Sequence, residues 1–140
     1  MIVLDTNVVS EALNGSPDAR VNDWLDRQEP ETLFLTSTSL AELLTGVEYL
    51  PDGKRKKGLS ENISAVIARL FEDRILAFDK NAAPIYAGIV AGAKRRGRTI
   101  AVADGQIAAI AALHGFSVAT RDVGPFEAAG VKVNNPWTER

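Results

Sequence analysis

The chain predicts an α/β fold: a three-layer α/β/α sandwich built on a central parallel sheet of four to five strands. Three observations carry this expectation. Short runs rich in branched and aromatic residues recur near residues 2–4, 32–36, 75–78, 116–120 and 131–133. Segments with apolar residues at helical spacing separate them. Acidic residues stand just beyond the runs: Asp5 after the first, Glu42 early in the helix after the second, Asp122 after the fourth. Strands alternating with helices imply parallel pairing, right-handed crossovers and helices on both faces.

With 140 residues the chain suits a single domain, residues 1–140. A hydrophobic content of 46% with 24% charged residues fits an ordinary globular protein. No apolar run approaches the roughly 18 residues that cross a bilayer, and the start is no signal peptide, so no membrane association and a cytoplasmic location are expected. The absence of cysteine excludes disulfides, thiol catalysis and Cys-ligated zinc. A single histidine, His114, excludes any site that needs two imidazoles. A formal net charge of −2 gives no global attraction to nucleic acid. A polyanionic ligand would therefore need local basic patches or a metal ion.

Taken in order, Ile2-Val3-Leu4 reads as a buried strand, followed at once by Asp5 and by Thr6 and Asn7, two good N-cap residues for a helix to Leu13. Asp5 is then either a helix cap or a group at the ligand-binding edge of the sheet. Asp18 caps a second helix, whose Val21, Trp24 and Leu25 share one face. After the strand at 32–36, residues 37–50 form a helix with Leu40, Leu43, Leu44 and Val47 on its apolar side. Within it Ser39-Leu40-Ala41-Glu42 matches a capping box, which offers Glu42 a local role; the alternative is that Glu42 points into the crevice shared with Asp5.

The basic run Lys54-Arg55-Lys56-Lys57 precedes a long helix with Ile63, Val66, Ile67, Leu70 and Phe71 inward. Asp79 caps the next helix, residues 82–96, where Gly88 and Gly92 lie one turn apart and suggest close packing. That helix ends in a second basic cluster, Lys94, Arg95, Arg96 and Arg98, whose default role is to complement the helix dipole. Residues 101–113 are Ala, Val, Ile or Leu except for Asp104, Gly105 and Gln106. A helix so apolar is buried, and an unpaired aspartate in its first turn is costly unless it has a function. Gly105 beside it costs helix stability and would let a ligand or metal approach the backbone. His114-Gly115 is a helix end with no chemistry assigned, and Trp137 is a packing anchor.

Asp5, Glu42, Asp104 and Asp122 thus converge on the carboxyl edge of the sheet. Four carboxylates cannot all stay ionised in a dry site without a compensating charge. A divalent cation resolves the conflict, and oxygen-only ligands favour Mg²⁺, with Mn²⁺ as substitute, over zinc. Phosphoryl transfer is the usual use of such a site.

These motifs resemble the PIN-domain ribonuclease toxins of the VapC group, most closely its FitB-like branch. The matching stretches are Ile-Val-Leu-Asp5-Thr6-Asn7-Val-Val-Ser10, Ser-Leu-Ala-Glu42-Leu, Ile-Ala-Val-Ala-Asp104-Gly-Gln-Ile-Ala-Ala, Val-Ala-Thr120-Arg-Asp122 with Phe126, and the terminal Asn-Pro-Trp137. The resemblance runs essentially the whole chain. It implies a metal-dependent endoribonuclease in which a metal-activated water attacks the phosphodiester. Asp5 and Asp104 would ligate the principal metal, Glu42 would ligate or position the water, and Asp122 would complete the site directly or through water. Asn7 and Thr120 would orient the carboxylates. The two basic clusters, by default solvated helix ends, are candidates for steering the RNA backbone. It also implies a homodimer neutralised by a small DNA-binding antitoxin of the VapB or FitA kind, with promoter DNA reached through that partner. Two rivals stand beside this reading. A phosphatase with Asp5 as nucleophile would want a second aspartate where Asn7 stands. A regulatory subunit would act mainly through an autorepressor complex, with little nuclease activity.

Overall fold

The computed structural model describes residues 1–139. Strand β1 (Ile2–Leu4) enters helix α1 (Thr6–Ala12), and α2 (Ala19–Asp26) with a single 3-10 turn (Pro30–Thr32) leads to β2 (Leu33–Thr36). Helices α3 (Ser37–Glu48) and α4 (Lys54–Leu70) precede β3 (Ile75–Leu76). Helices α5 (Ala82–Arg95) and α6 (Val102–His114) precede β4 (Ser117–Ala119), and α7 (Val123–Ala128) leads to β5 (Val133–Asn134). The five strands are all parallel, in the order β3-β2-β1-β4-β5. The chain therefore builds outward from β1 to β3, then returns to the other side of β1 for β4 and β5. The reversal between β1 and β4 is the switch point at which open α/β sheets bind ligands, beyond the strands' carboxyl ends.

Alternation along each strand sends neighbouring side chains to opposite faces. Leu4, Leu35 and Ala119 join a core with Val8, Val9, Val21, Trp24, Leu43, Val47, Ile63, Ile67 and Phe71, drawn from α1 to α4. Val3 and Val118 face the other way, into Ile107, Ala108, Ala111 and Phe126 of α6 and α7. Two cores on one sheet make the expected three layers. Trp137 is buried in the first core, as its anchor role requires.

Several local expectations are corrected. Asp5, not Thr6 or Asn7, is the N-cap of α1, its Oδ1 accepting from Thr6 N at 2.8 Å. Helix α3 is capped by Thr36, whose Oγ1 accepts from Ser39 N at 3.0 Å, so Ser39 is inside the helix and the capping box does not form. Leu44 and Leu70 are each 40% exposed rather than inward. Phe78 leaves the third strand to meet Tyr86 edge-on, with ring centres 5.6 Å apart. Phe116 packs on Phe34 just ahead of β4. The basic run at Lys54 forms the first turn of α4 instead of preceding it.

The close helix approach expected at Gly88 and Gly92 lies elsewhere. A Cβ at Gly88 would meet nothing within 4 Å, and one at Gly92 only the Arg96 Nη1, at 3.5 Å. At Gly105 it would stand 2.7 Å from Tyr86 Cε2 and 3.3 Å from Val90 Cγ2. Gly105 is therefore the place where α5 presses against α6, and the gap it leaves is filled by a tyrosine ring rather than a ligand. The expectation that α6 is buried all round also fails at both ends, with Val102 62% exposed at its start and Ala112 and His114 exposed near its end.

Candidate active site

The carboxyl ends of β1 and β4 are tied together by Asp5 N, which donates to Ala119 O at 2.9 Å. This places Asp5 beside Thr120, and both side chains are buried. Thr120 Oγ1 donates to Asp5 Oδ2 at 2.8 Å, and Asn7 Nδ2 reaches both Asp5 Oδ2 and Thr120 Oγ1 at 3.3 Å. Thr120 Oγ1 also accepts from Asp122 N at 3.0 Å, so one hydroxyl links the first and the last acid. Asn7 and Thr120 thus sit where the sequence reading put them, beside the carboxylates.

Glu42 is brought in by a contact the sequence reading missed. Thr6 Oγ1 donates to Glu42 Oε1 at 2.6 Å and lies 2.9 Å from Ser39 Oγ. A hydroxyl has one proton, so Thr6 gives its own to Glu42 and receives one from the buried Ser39. The result is a short charge-assisted bond at the end of a two-hydroxyl chain. Asp104 comes from the first turn of α6, and Thr38 Oγ1 donating to Gln106 Oε1 at 2.9 Å ties that helix to α3. Thr6 reads locally as a capping residue and Gln106 as a lone polar residue, so neither announces these partners.

All four acids line one open crevice of about 510 Å³, together with Thr6, Asn7, Ser10, Glu11, Asn14, Arg121 and Trp137. Burial pushes the Asp5 carboxyl above its usual range, partly offset by the Thr120 hydroxyl and the Thr6 amide, with the charges of Glu42 and Asp122 adding to the rise. Asp104 is pushed up to about 6, first by burial and then by Asp5, Asp122 and Glu42. Among the described residues no lysine, arginine or histidine forms an ion pair with any of the four. Mutual repulsion with no protein cation to relieve it, and an all-oxygen donor set, fit a hard divalent ion. Among the described residues no group of three such acids is gathered closely enough to hold an ion as it stands, so the ring is open.

The two basic clusters lie outside this crevice wall. Lys56 pairs with Asp52 at 3.3 Å and with Glu48 at 3.9 Å, and Lys56 and Lys57 line a separate hollow beside α3. Arg96 Nη2 donates to Ala128 O at 2.7 Å and Arg98 Nη2 to Gly124 O at 3.2 Å, so both fasten α7. Lys54, Arg55, Lys94 and Arg95 are exposed. No helix among the described residues is long and apolar enough to cross a membrane.

Comparison with known proteins agrees with this fold. The family model described as PIN domain matches residues 2–132. Toxin FitB of Neisseria gonorrhoeae is 50% identical over 137 residues, covering 98% of this chain and 99% of that protein. VapC ribonuclease Y4jK of Sinorhizobium fredii is 47% identical over 137 residues, covering 98% of each. The solved structure of FitAB bound to an IR36 DNA fragment superposes with a TM-score of 0.95 at 48% identity, covering 100% of this chain and 98% of that one.

Proposed function

Because the chain belongs to the PIN domain family, we propose that it is a metal-dependent endoribonuclease, the toxin of a toxin–antitoxin pair. The observation that carries this reading is the crevice at the switch point, which Asp5, Glu42, Asp104 and Asp122 all line with no protein cation paired to them. The full-length similarity to a protein named a VapC ribonuclease and to one named Toxin FitB supports it.

Asp5 and Asp104 are the residues to hold Mg²⁺ or Mn²⁺, with Glu42 and Asp122 completing the ring directly or through water. A divalent cation, when bound, supplies a hydroxide-like nucleophile near neutral pH and charge stabilisation at the scissile phosphate. The chain's own residues do the positioning. Thr120, Asn7 and the Thr6 amide fix both oxygens of Asp5. The Ser39–Thr6 hydroxyl chain aims Glu42. Thr38 and Gln106 hold the helix that carries Asp104 in register with the helix that carries Glu42. The partners that go with this reading are a small DNA-binding antitoxin, promoter DNA reached through it, and a second copy of the chain. The structure of FitAB on DNA supports the second of these.

The test is cleavage of a mixed RNA pool by the purified chain in Mg²⁺, in Mn²⁺ and in EDTA, beside Asp5→Asn and Asp104→Asn. Metal-dependent cutting that both variants lose is the expected result. Cutting that persists in EDTA or in the variants would overturn the assignment of these acids. No cutting by the wild-type chain under any condition would favour the regulatory role.

A further inference from the structure

An arginine set beside four unpaired carboxylates would ordinarily fold onto one of them, yet Arg121 does not. It follows Thr120 and precedes Asp122, lines the acidic crevice, and among the described residues forms no ion pair, though its charge helps to hold the Asp18 carboxyl below its usual range. Its guanidinium lies instead over the Trp137 indole, 5.2 Å from the ring centre, within cation–π range. Trp137 is itself 5% exposed and packed in the first core, so the platform is rigid. At the other end, Arg121 N donates to Asn7 Oδ1 at 3.3 Å, and the same Asn7 bonds Asp5. Arg121 is thus anchored through its backbone to the first acid and through its side chain to the fold. Among the described residues its side-chain N–H groups donate to no protein acceptor, so they remain for a ligand.

We propose that Arg121 is a phosphate grip of this crevice, holding the RNA backbone beside the scissile position through its stacked, unpaired guanidinium. The inference rests on the nuclease reading above and adds to it the residue that takes up the substrate's backbone. The chemistry is direct. RNA entering a ring of carboxylates is repelled, and among the described residues Arg121 is the one lysine or arginine in the crevice wall. A planar fork of donors suits a phosphate's paired oxygens, and stacking on Trp137 keeps it from collapsing onto Asp122. Such a contact positions the strand and carries no base preference.

The test measures binding of a fluorescein-labelled single-stranded RNA of mixed sequence to the full chain in Ca²⁺ across a salt series, with cleavage in Mg²⁺ followed alongside. Wild type, Arg121→Ala and Arg121→Lys are compared. The expected result is an affinity loss of about tenfold for Arg121→Ala, with a slope of log affinity against log salt shallower by about 0.7, as for one lost phosphate contact on a single strand. Arg121→Lys keeps the charge but not the fork and should recover the slope with only part of the affinity. The proposal is overturned if Arg121→Ala binds and cuts RNA as wild type does, with or without a lower melting temperature; the arginine would then serve packing or a protein contact. Wild-type chain that neither binds nor cuts RNA would bring down the nuclease reading and this inference together, whereas an unaffected variant of an active chain brings down this inference alone.

Discussion

Gly105→Ala separates two explanations of a glycine next to a site aspartate, one in which a ligand approaches the backbone and one in which a neighbouring helix does. The new methyl would stand 2.7 Å from Tyr86 Cε2, 3.2 Å from Cδ2 and 3.3 Å from Val90 Cγ2, where carbon pairs settle at about 3.5–4 Å. Helix propensity favours alanine by at most about 1 kcal/mol. Overpacking of a tight contact costs about 1–3 kcal/mol. The Tyr86 ring has little room to yield, because it is half-buried and braced edge-on by Phe78. Overpacking wins, with net destabilisation of about 1 kcal/mol, or about 3 °C in a chain of this length. Thermal unfolding by circular dichroism reads it, within a double-mutant cycle that includes Tyr86→Ala. Once the ring is gone, Gly105→Ala should cost much less, because only the 3.3 Å contact with Val90 Cγ2 is left to oppose the gain in propensity. A rise in melting temperature in the wild-type background, or no coupling to Tyr86, would refute the packing account. Unchanged stability with lost Mn²⁺ binding would restore the ligand account.

Thr6→Val should lower RNA cleavage about tenfold while Thr6→Ser recovers it, since only the hydroxyl aims Glu42; a loss that serine fails to rescue would make Thr6 a packing residue. Asp104→Asn should stabilise the metal-free chain while abolishing cleavage. Between about pH 4 and about 6 the folded chain holds the Asp104 proton and the unfolded chain does not, so stability falls as pH rises through that window. The rise of about two pH units corresponds to about 3 kcal/mol, which solvent screening at this partly exposed carboxyl reduces to about 1 kcal/mol. Urea unfolding in EDTA should then show the asparagine variant ahead by that amount at pH 7.5 and level with wild type at pH 4; equal stability at both would exclude the burial strain. Asp5→Asn should instead lose stability in the same assay, because the hydrogen bonds it breaks outweigh the relief of its buried charge, for reasons taken up below.

The features legible in the sequence are those set by neighbours in the chain. Ile2-Val3-Leu4 followed by Asp5, and Ser117-Val118-Ala119 followed by Thr120 and Asp122, announce a strand ending in polar groups without any tertiary knowledge. Glu42 was ambiguous because two good caps, Thr36 and Ser39, lie three residues apart. Which of them caps depends on where β2 stops, a matter of pairing with β3 that local pattern does not contain. Gly105 is opaque in the sequence for the same reason: the ring that fills its gap comes from a different helix. Phe78 and Phe116 carry strand-like side chains, yet each leaves its strand for an aromatic partner. The Thr6–Glu42 and Thr38–Gln106 bonds join residues far apart in the chain and became visible only with the fold.

The cap that Asp5 makes and the site role proposed for it do not compete. Its Oδ1 accepts from the Thr6 amide that begins α1, and its Oδ2 accepts from the Thr120 hydroxyl and the Asn7 amide. A carboxylate offers about four lone-pair directions, so three protein donors leave roughly one toward the crevice. Capping and orientation are thus one act: the bonds that start the helix also fix which electron pair faces the crevice. An asparagine in this place has one oxygen for donors on two sides, and whichever way its amide turns, an N–H meets an N–H or a hydroxyl proton. Asp104 accepts no hydrogen bond from any described residue, and its amide variant loses nothing of that kind. The pair of asparagine variants should therefore differ in the sign of their effect on stability while agreeing in the loss of cleavage. Opposite signs follow only if Asp5 is structurally committed and Asp104 is held in place solely by its helix.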